Sequence, residues 1–202
     1  MPAHADAPAV DGAQRVVAVI VTYNRRDLLL EGLAAVHAQQ RPPDAVIVVD
    51  NASVDGTAEA VRAAFPEVKL AELGANYGGA GGFAYGMATA LADGADQVWA
   101  MDDDTIPQPG ALGALLAARV RYQGRAPAIV ASKVLWTDGR PHPMNTPRPR
   151  PMAAASERTA AAACGCVPIR SASFVSVLLD AAECRRLGLP KADFFLWNDD
   201  FE

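Results

Sequence analysis

Along the first hundred residues, short runs of apolar, β-branched side chains alternate with longer stretches rich in alanine and leucine. Residues 16–21 (VVAVIV) are uninterrupted apolar, the mark of a strand covered on both faces. A helix is predicted over 28–39, with Asp27 as its cap, and Pro42 and Pro43 end that region before a second apolar run at 45–49. Asp55 precedes a helix to about residue 65, and 68–73 reads as a third strand. The glycine-rich residues 78–82 open a helix to about 92, and 97–101 form a fourth strand. This alternation predicts βαβ units: an α/β fold with a mainly parallel central sheet and helices on both faces.

After residue 101 the pattern loosens. A helix is expected from Pro109 to about 122, a strand over 128–135, another over 170–179, and a short helix over 181–187. Residues 140–151 (RPHPMNTPRPRP) hold five prolines, which excludes a helix or an interior strand. They read as a long surface loop, poorly ordered in the absence of an acceptor, with Arg140, Arg148 and Arg150 as candidate phosphate contacts or as a solvated basic face. There is no repeat at fixed spacing. Residues 1–15, rich in Ala, Pro and Asp, read as a disordered leader without the apolar core of a signal peptide, and 16–202 as one domain.

Composition narrows the class. With 18 basic against 23 acidic residues the net charge is −5, which gives no footprint for nucleic acid. No stretch approaches the roughly 18 apolar residues of a membrane span, so at most peripheral membrane association is expected. Cys164, Cys166 and Cys184 are too few and too unevenly spaced for a zinc site or a disulfide framework, and fit a reducing, cytoplasmic setting.

The candidate chemistry sits where strands end. Asp102, Asp103 and Asp104 follow the fourth strand at its carboxyl end, where open α/β sheets place ligands. Adjacent like charges are costly without a cation. In an extended backbone Asp102 and Asp104 project to one side and suit a divalent metal that also touches a diphosphate; the alternative is a solvated acidic turn. Asp50 closes the second strand at the same edge, placed either to contact a ligand or to hold a turn, while Asn51 and Ser53 read as turn formers and Asp55 as a helix cap. The stretch 79–84, with Gly79, Gly81 and Ala84 at the fixed positions and Gly82 between them, satisfies the G-x-G-x-x-G/A dinucleotide fingerprint, but after the third strand instead of the first. Their density implies close backbone approach to a ligand or to a neighbouring strand. Asp199 and Asp200 lie among Phe194, Phe195, Trp197 and Phe201, where a carboxylate gains proton affinity and can serve as a base; a helix N-cap is the other reading.

In this order, VTYNR (21–25), VVDNASVDGT (48–57), NYGGAGGF (76–83), DDD (102–104) and NDDFE (198–202) resemble the family 2 glycosyltransferases of the GT-A fold. Within that family GGAGGFAYGM followed by GADQVWAMDDDT is most similar to bacterial galactofuranosyltransferases, with rhamnosyltransferases close behind. The resemblance implies a metal-dependent, inverting transfer from a UDP- or dTDP-sugar donor to a glycan or lipid-linked acceptor, at the inner membrane face if peripheral. It implies nucleotide contacts from Thr22, Tyr23, Asn24 and Arg25, with Asp50 on the base. Asn76 and the glycines would lie along the donor. Asp102 and Asp104 would hold Mn2+ or Mg2+, and Asp103 would face the sugar. Asp200 would be the general base, with Asp199 shaping its site. In relatives a helix and often a metal-completing histidine follow the acidic pair, so a chain cut short after Glu202 is expected; His4, His37 and His142 do not match that histidine by position. Alternatives are a sugar-phosphate nucleotidyltransferase, for which VTYNRRD lacks the glycine-rich triphosphate loop, an inactive nucleotide-sugar-binding domain, and a dinucleotide oxidoreductase.

Overall fold

The computed structural model describes residues 14–142 and 144–195. In chain order the strands are β1 Val16–Thr22, β2 Ala45–Asp50, β3 Lys69–Glu72, β4 Gln97–Asp102, β5 Ile129–Ala131, β6 Arg148–Pro149, β7 Ile169–Ser171 and β8 Val177–Asp180. The helices are α1 Arg26–His37, α2 Thr57–Ala64, α3 Gly78–Ala92, α4 Ala111–Arg121, α5 Ala155–Ala163 and α6 Ala181–Leu187, with a 3-10 turn at Ala192–Phe194. One sheet runs β3-β2-β1-β4-β8-β5; its first four strands are parallel, and β8 runs antiparallel between β4 and β5.

Every residue of β1 is buried, as its unbroken apolar run predicts. Val16, Ala18 and Ile20 face a core built with Leu29, Leu33 and Val36 of α1 and Leu112 and Leu115 of α4. Val17, Val19 and Val21 face a second core with Phe83, Met87 and Ala90 of α3. Burying such side chains contributes about 1.5–3 kcal/mol each. Helices on both faces and a mainly parallel sheet are therefore what the alternation predicts.

Register places the chemistry. Thr22 pairs with Asp50, Val21 with Asp102, and Asp50 with Glu72, so the parallel strands end level on one edge.

Several boundaries differ from expectation for physical reasons. Asp27 is not the cap of α1 but its second residue, paired with Arg26. The capping role falls to Asp55, from the neighbouring loop, whose carboxylate accepts the Arg26 N–H at 3.1 Å. Helix α4 begins at Ala111 after a turn in which the Ala111 N–H donates to the Gln108 carbonyl, later than Pro109. The strand expected over 170–179 is two: β7 and β8 belong to different sheets, and Ala172 and Phe174 pack against the α3-side core between them. Likewise β5 stops at Ala131, and Leu135 bridges to Pro141 within its own turn.

The proline loop is corrected most. Arg148–Pro149 pairs antiparallel with β7, and the Arg150 N–H donates to the Pro168 carbonyl at 3.0 Å. Prolines at 147, 149 and 151 alternate with arginines, so with period two the missing donors fall on the outer side of the ribbon. Sequence reading excluded an interior strand, which holds; it overlooked an edge.

Candidate functional site

The edge where the parallel strands end is tied together by buried polar groups. Thr22 closes β1, 1% exposed, and its hydroxyl donates to Asp103 Oδ2 at 2.8 Å. The Tyr23 N–H reaches the same oxygen at 3.3 Å. Asn24 stands in the left-handed region (φ 53°); its N–H donates to Ser53 Oγ at 2.9 Å, and its side-chain oxygen accepts the Val54 N–H at 2.8 Å. The loops after β1 and β2 are thus stitched into one layer. Asp55 completes the seam: its carboxylate takes the Thr57 hydroxyl and N–H as well as the Arg26 N–H, and these hydrogen bonds, the Thr57 hydroxyl foremost, hold its pKa down. The N-cap position of α2 is Gly56, and Asp55, one residue before it, accepts the first N–H of α2 and tethers that helix to α1. An open depression of about 430 Å³, lined by Asn24, Arg25, Arg26, Asp27, Leu28 and Asp55, lies along this seam.

The three consecutive aspartates have three different surroundings. β4 ends at Asp102 and the backbone turns at Asp103 and Asp104, so simple strand alternation does not continue through the triplet. Asp102 is half-buried. Asp103 is 8% exposed and turned onto the end of β1; burial pushes its carboxyl pKa up, against the lowering effect of the Thr22 hydrogen bond and of Arg25. Asp104 is exposed, and its Oδ2 lies 2.6 Å from Arg25 Nη1, which is also 3.8 Å from Asp103 Oδ1. Burial works to lower the Arg25 pKa, but Asp103, Asp104 and Asp102 outweigh it and raise it.

Asp50 is 2% exposed beside Thr22, and its Oδ1 accepts the Ser53 N–H at 2.8 Å, so one oxygen already serves the turn. Asn51, read in sequence as a turn former, does more. Its Nδ2 donates to the Gly78 carbonyl at 3.0 Å and its Oδ1 accepts the Tyr77 N–H at 3.3 Å, so it fixes the start of α3 to the end of β2. The signal available was an amide directly after a strand that is buried on both faces. Asn76 accepts the Gly78 N–H at 2.8 Å in the turn that opens α3.

The glycines lie inside α3, not in a loop before it. A Cβ at Gly82 would stand 2.4 Å from Val21 Cγ1, and one at Gly86 2.4 Å from Val19 Cγ1. These two let the helix lie flush on β1, which is the neighbouring-strand reading of the motif. At Gly81 a Cβ would meet Tyr77 Cβ at 2.5 Å, and Gly79 occupies the same first turns. Gly78 has φ +70°, and the Phe195 carbonyl takes up the space a Cβ would need while accepting the Ala80 N–H at 3.1 Å.

Thr22, Tyr23, Arg25, Asp103 and Asp104 are thus in direct contact, Asp50 is adjacent by register, and Asn76 with the glycines joins through Asn51. Asp199 and Asp200 lie outside the described residues. Among the described residues no three His, Cys, Asp or Glu side chains are grouped to hold a metal. Mg2+ or Mn2+ bound to a diphosphate takes one or two carboxylates and completes its shell with phosphate and water oxygens, and Asp102 and Asp104 are hard oxygen donors of that kind. No helix among the described residues is long and apolar enough to cross a membrane.

The chain is similar to known proteins in sequence and in fold. The family model for glycosyl transferase family 2 matches residues 17–177. The galactofuranosyltransferase GlfT1 of Mycobacterium tuberculosis is 35% identical over 195 residues, spanning 94% of this chain and 63% of that protein. GlfT1 of Mycolicibacterium smegmatis is 50% identical over 94 residues, 46% of this chain and 30% of that protein. The chain therefore spans less than two thirds of the length of these relatives. In three dimensions it is similar to S. aureus TarS 1–349 (TM-score 0.68, 18% identity, 92% of this chain and 53% of that one). It is also similar to the mannosyltransferase PcManGT of Pyrobaculum calidifontis, solved with GDP-Man and Mn2+ (TM-score 0.59, 24% identity, 92% and 49%). At these identities the structures speak to fold, and the fold is GT-A.

Proposed function

Because the chain belongs to glycosyl transferase family 2, we propose that it is the donor-binding and catalytic part of an inverting, metal-dependent hexosyltransferase. Its donor is a nucleoside diphosphate sugar, UDP-galactofuranose or a dTDP-rhamnose-like sugar, and its acceptor a hydroxyl of a glycan or lipid-linked saccharide. Residues 16–202 form the catalytic domain, working in the cytoplasm and at most peripherally on the inner membrane face. The observation that carries this reading is the bond from Thr22 to Asp103, across 81 residues, which joins the β1 loop to the acidic triplet beside Asp50. Galactofuranosyltransferases among the relatives favour the donor sugar.

Each group then has a task. Asp50 accepts hydrogen bonds from the base, and Tyr23, Asn24 and Arg25 line the nucleotide. Asn76, Gly79 and Gly81 border the donor, while Gly82 seats α3 on β1 behind them and Asp103 holds the β1 loop beside the sugar. Asp102 and Asp104 hold Mn2+ or Mg2+, which when bound neutralises charge on the departing diphosphate. The acceptor oxygen bonds to the anomeric carbon from the face opposite the diphosphate, the carbon–oxygen bond to the diphosphate breaks, and configuration inverts. Asp200 takes the acceptor's proton, and Asp199 shapes its field. Phe195, anchored on α3 beside the glycines, precedes this pair by four residues in the chain.

The test is turnover and donor binding measured in parallel. Asp200→Asn is expected to keep UDP and Mn2+ affinity while lowering kcat by roughly 10²–10⁴-fold, the usual contribution of a general base. If Asp199→Asn is dead while Asp200→Asn turns over normally, the two roles exchange. If both variants stay active, the base does not lie on this segment and the mechanism fails.

A further inference from the structure

Three carboxylates in a row repel one another, and the chain answers part of that repulsion with its own cation. Arg25 Nη1 lies 2.6 Å from Asp104 Oδ2 and 3.8 Å from Asp103 Oδ1. The commitments of the acids differ. Asp103 is buried and held by the Thr22 hydroxyl and the Tyr23 N–H. Asp104 meets Arg25 with both side chains about half exposed, 47% and 50%. We propose that Arg25 is an exchangeable counter-ion: it neutralises Asp104 before ligand arrives, yields that carboxylate to the divalent cation of a metal–nucleoside diphosphate, and turns its guanidinium onto the diphosphate. This rests on the donor and metal reading above.

Three physical points carry it. Arginine does not lose its proton, so a second cation at Asp104 requires the guanidinium to move, not to neutralise. The pair it leaves is exposed, and such pairs shift an equilibrium by at most about fivefold, so the exchange is accessible. The backbone need not follow: the Arg25 carbonyl accepts the Leu29 N–H at 3.0 Å as the first bond of α1, and the side chain alone can swing. Once displaced, its planar fork matches two phosphate oxygens. Arg26 provides an internal comparison, since it stands one residue on and binds Asp27 and not the triplet.

Exchange predicts opposite signs for two equilibria. Mn2+ binding followed by electron paramagnetic resonance, alone and with UDP, reads both without any turnover. In Arg25→Met, Mn2+ alone is expected to bind about two- to fivefold tighter, because nothing must be displaced. UDP in the presence of Mn2+ is expected to bind tenfold or more weaker, through loss of charge-assisted hydrogen bonds. Arg25→Lys restores competition for Mn2+ without restoring the fork. Arg26→Met, which removes the same charge next door, is expected to change neither. If Arg25→Met leaves Mn2+ affinity unchanged or weakens it while the wild type forms its UDP–Mn2+ complex, the exchange is overturned and the functional reading stands. An equal gain in Arg26→Met would reduce the effect to bulk electrostatics and also overturn it. If the wild type binds no Mn2+ even with UDP, the functional reading fails and the exchange with it.

Discussion

Asp103 and Asp104 are neighbours of identical chemistry, yet truncating them is expected to damage different properties. Asp103→Ala removes the acceptor of a buried hydroxyl at 2.8 Å and of a backbone N–H at 3.3 Å. A hydrogen bond to a charged group contributes about 1.5–3 kcal/mol, and relief from burying the carboxylate offsets part of that. A net loss of about 2 kcal/mol follows, or roughly 4–8 °C in Tm for a domain of this size. Asp104→Ala removes one exposed ion pair, for which about 0.2–1 kcal/mol is typical, so its Tm is expected to fall by under about 4 °C. In binding the order reverses: Asp104→Ala is expected to abolish metal-dependent UDP affinity with the fold intact. Thermal unfolding and calorimetric titration of both variants under one buffer decide this. Equal losses of stability, or no loss in Asp103→Ala, would refute the assignment of Asp103 as the anchor of the edge.

The raised pKa of Asp103 has a pH consequence. The folded carboxyl holds its proton more tightly than the unfolded one, so its stabilising share is complete below about pH 4, the unfolded carboxylate range, and is lost as pH rises through the folded pKa. Urea unfolding from pH 4 to 7 should show Asp103→Asn gaining stability relative to wild type as pH rises; parallel curves would mean the carboxyl titrates normally. On the glycines, Gly82→Ala and Gly86→Ala each place a Cβ 2.4 Å from a valine of β1 and are expected to cost about 1–3 kcal/mol, whereas Gly113→Ala in α4 meets nothing within 4 Å and should be neutral or stabilising. Matched denaturation curves for Gly82→Ala and wild type would remove the packing role.

What sequence revealed and what it hid follow from how far each interaction reaches. The strands and α3 are legible because burial on both faces leaves a local record: six apolar residues in a row at β1, and glycines spaced to meet it. The edge carrying the chemistry followed, since parallel strands put every carboxyl end on one side. The orientation of Asp103 was hidden because Thr22, its partner, lies 81 residues away. The start of α1 is not set locally: its capping carboxylate comes from Asp55, 29 residues on from Arg26, whereas Asp27, the acid nearest the start, pairs with Arg26. Residues 155–163 carry an alanine-rich helical signal beside the prolines and form α5. The count of those prolines excludes an interior strand, and only their alternation shows which side of the ribbon lacks donors.

These cases share one rule about this edge. Thr22, Asp50, Asn51 and Asp103 are each under about a tenth exposed, and each spends hydrogen bonds on a neighbouring loop or helix start. Tyr23, Arg25, Tyr77 and Asp104 are each at least about half exposed or nearly so, and stand on the backbone those buried groups fix. A buried polar group without its partner is costly, so the first set cannot relax when altered; the second set can, because water replaces what is lost. Motif matching assigns Thr22, Asp50 and Asp103 of the first set and Tyr23, Arg25 and Asp104 of the second alike to the ligand. Burial separates them: the inward groups set the positions of the loops, Asp50 giving one oxygen to its turn and keeping the other for the base, and the outward groups meet whatever the loops are positioned for. Substitutions inside one motif therefore divide by exposure, with stability falling on the inward side and binding on the outward.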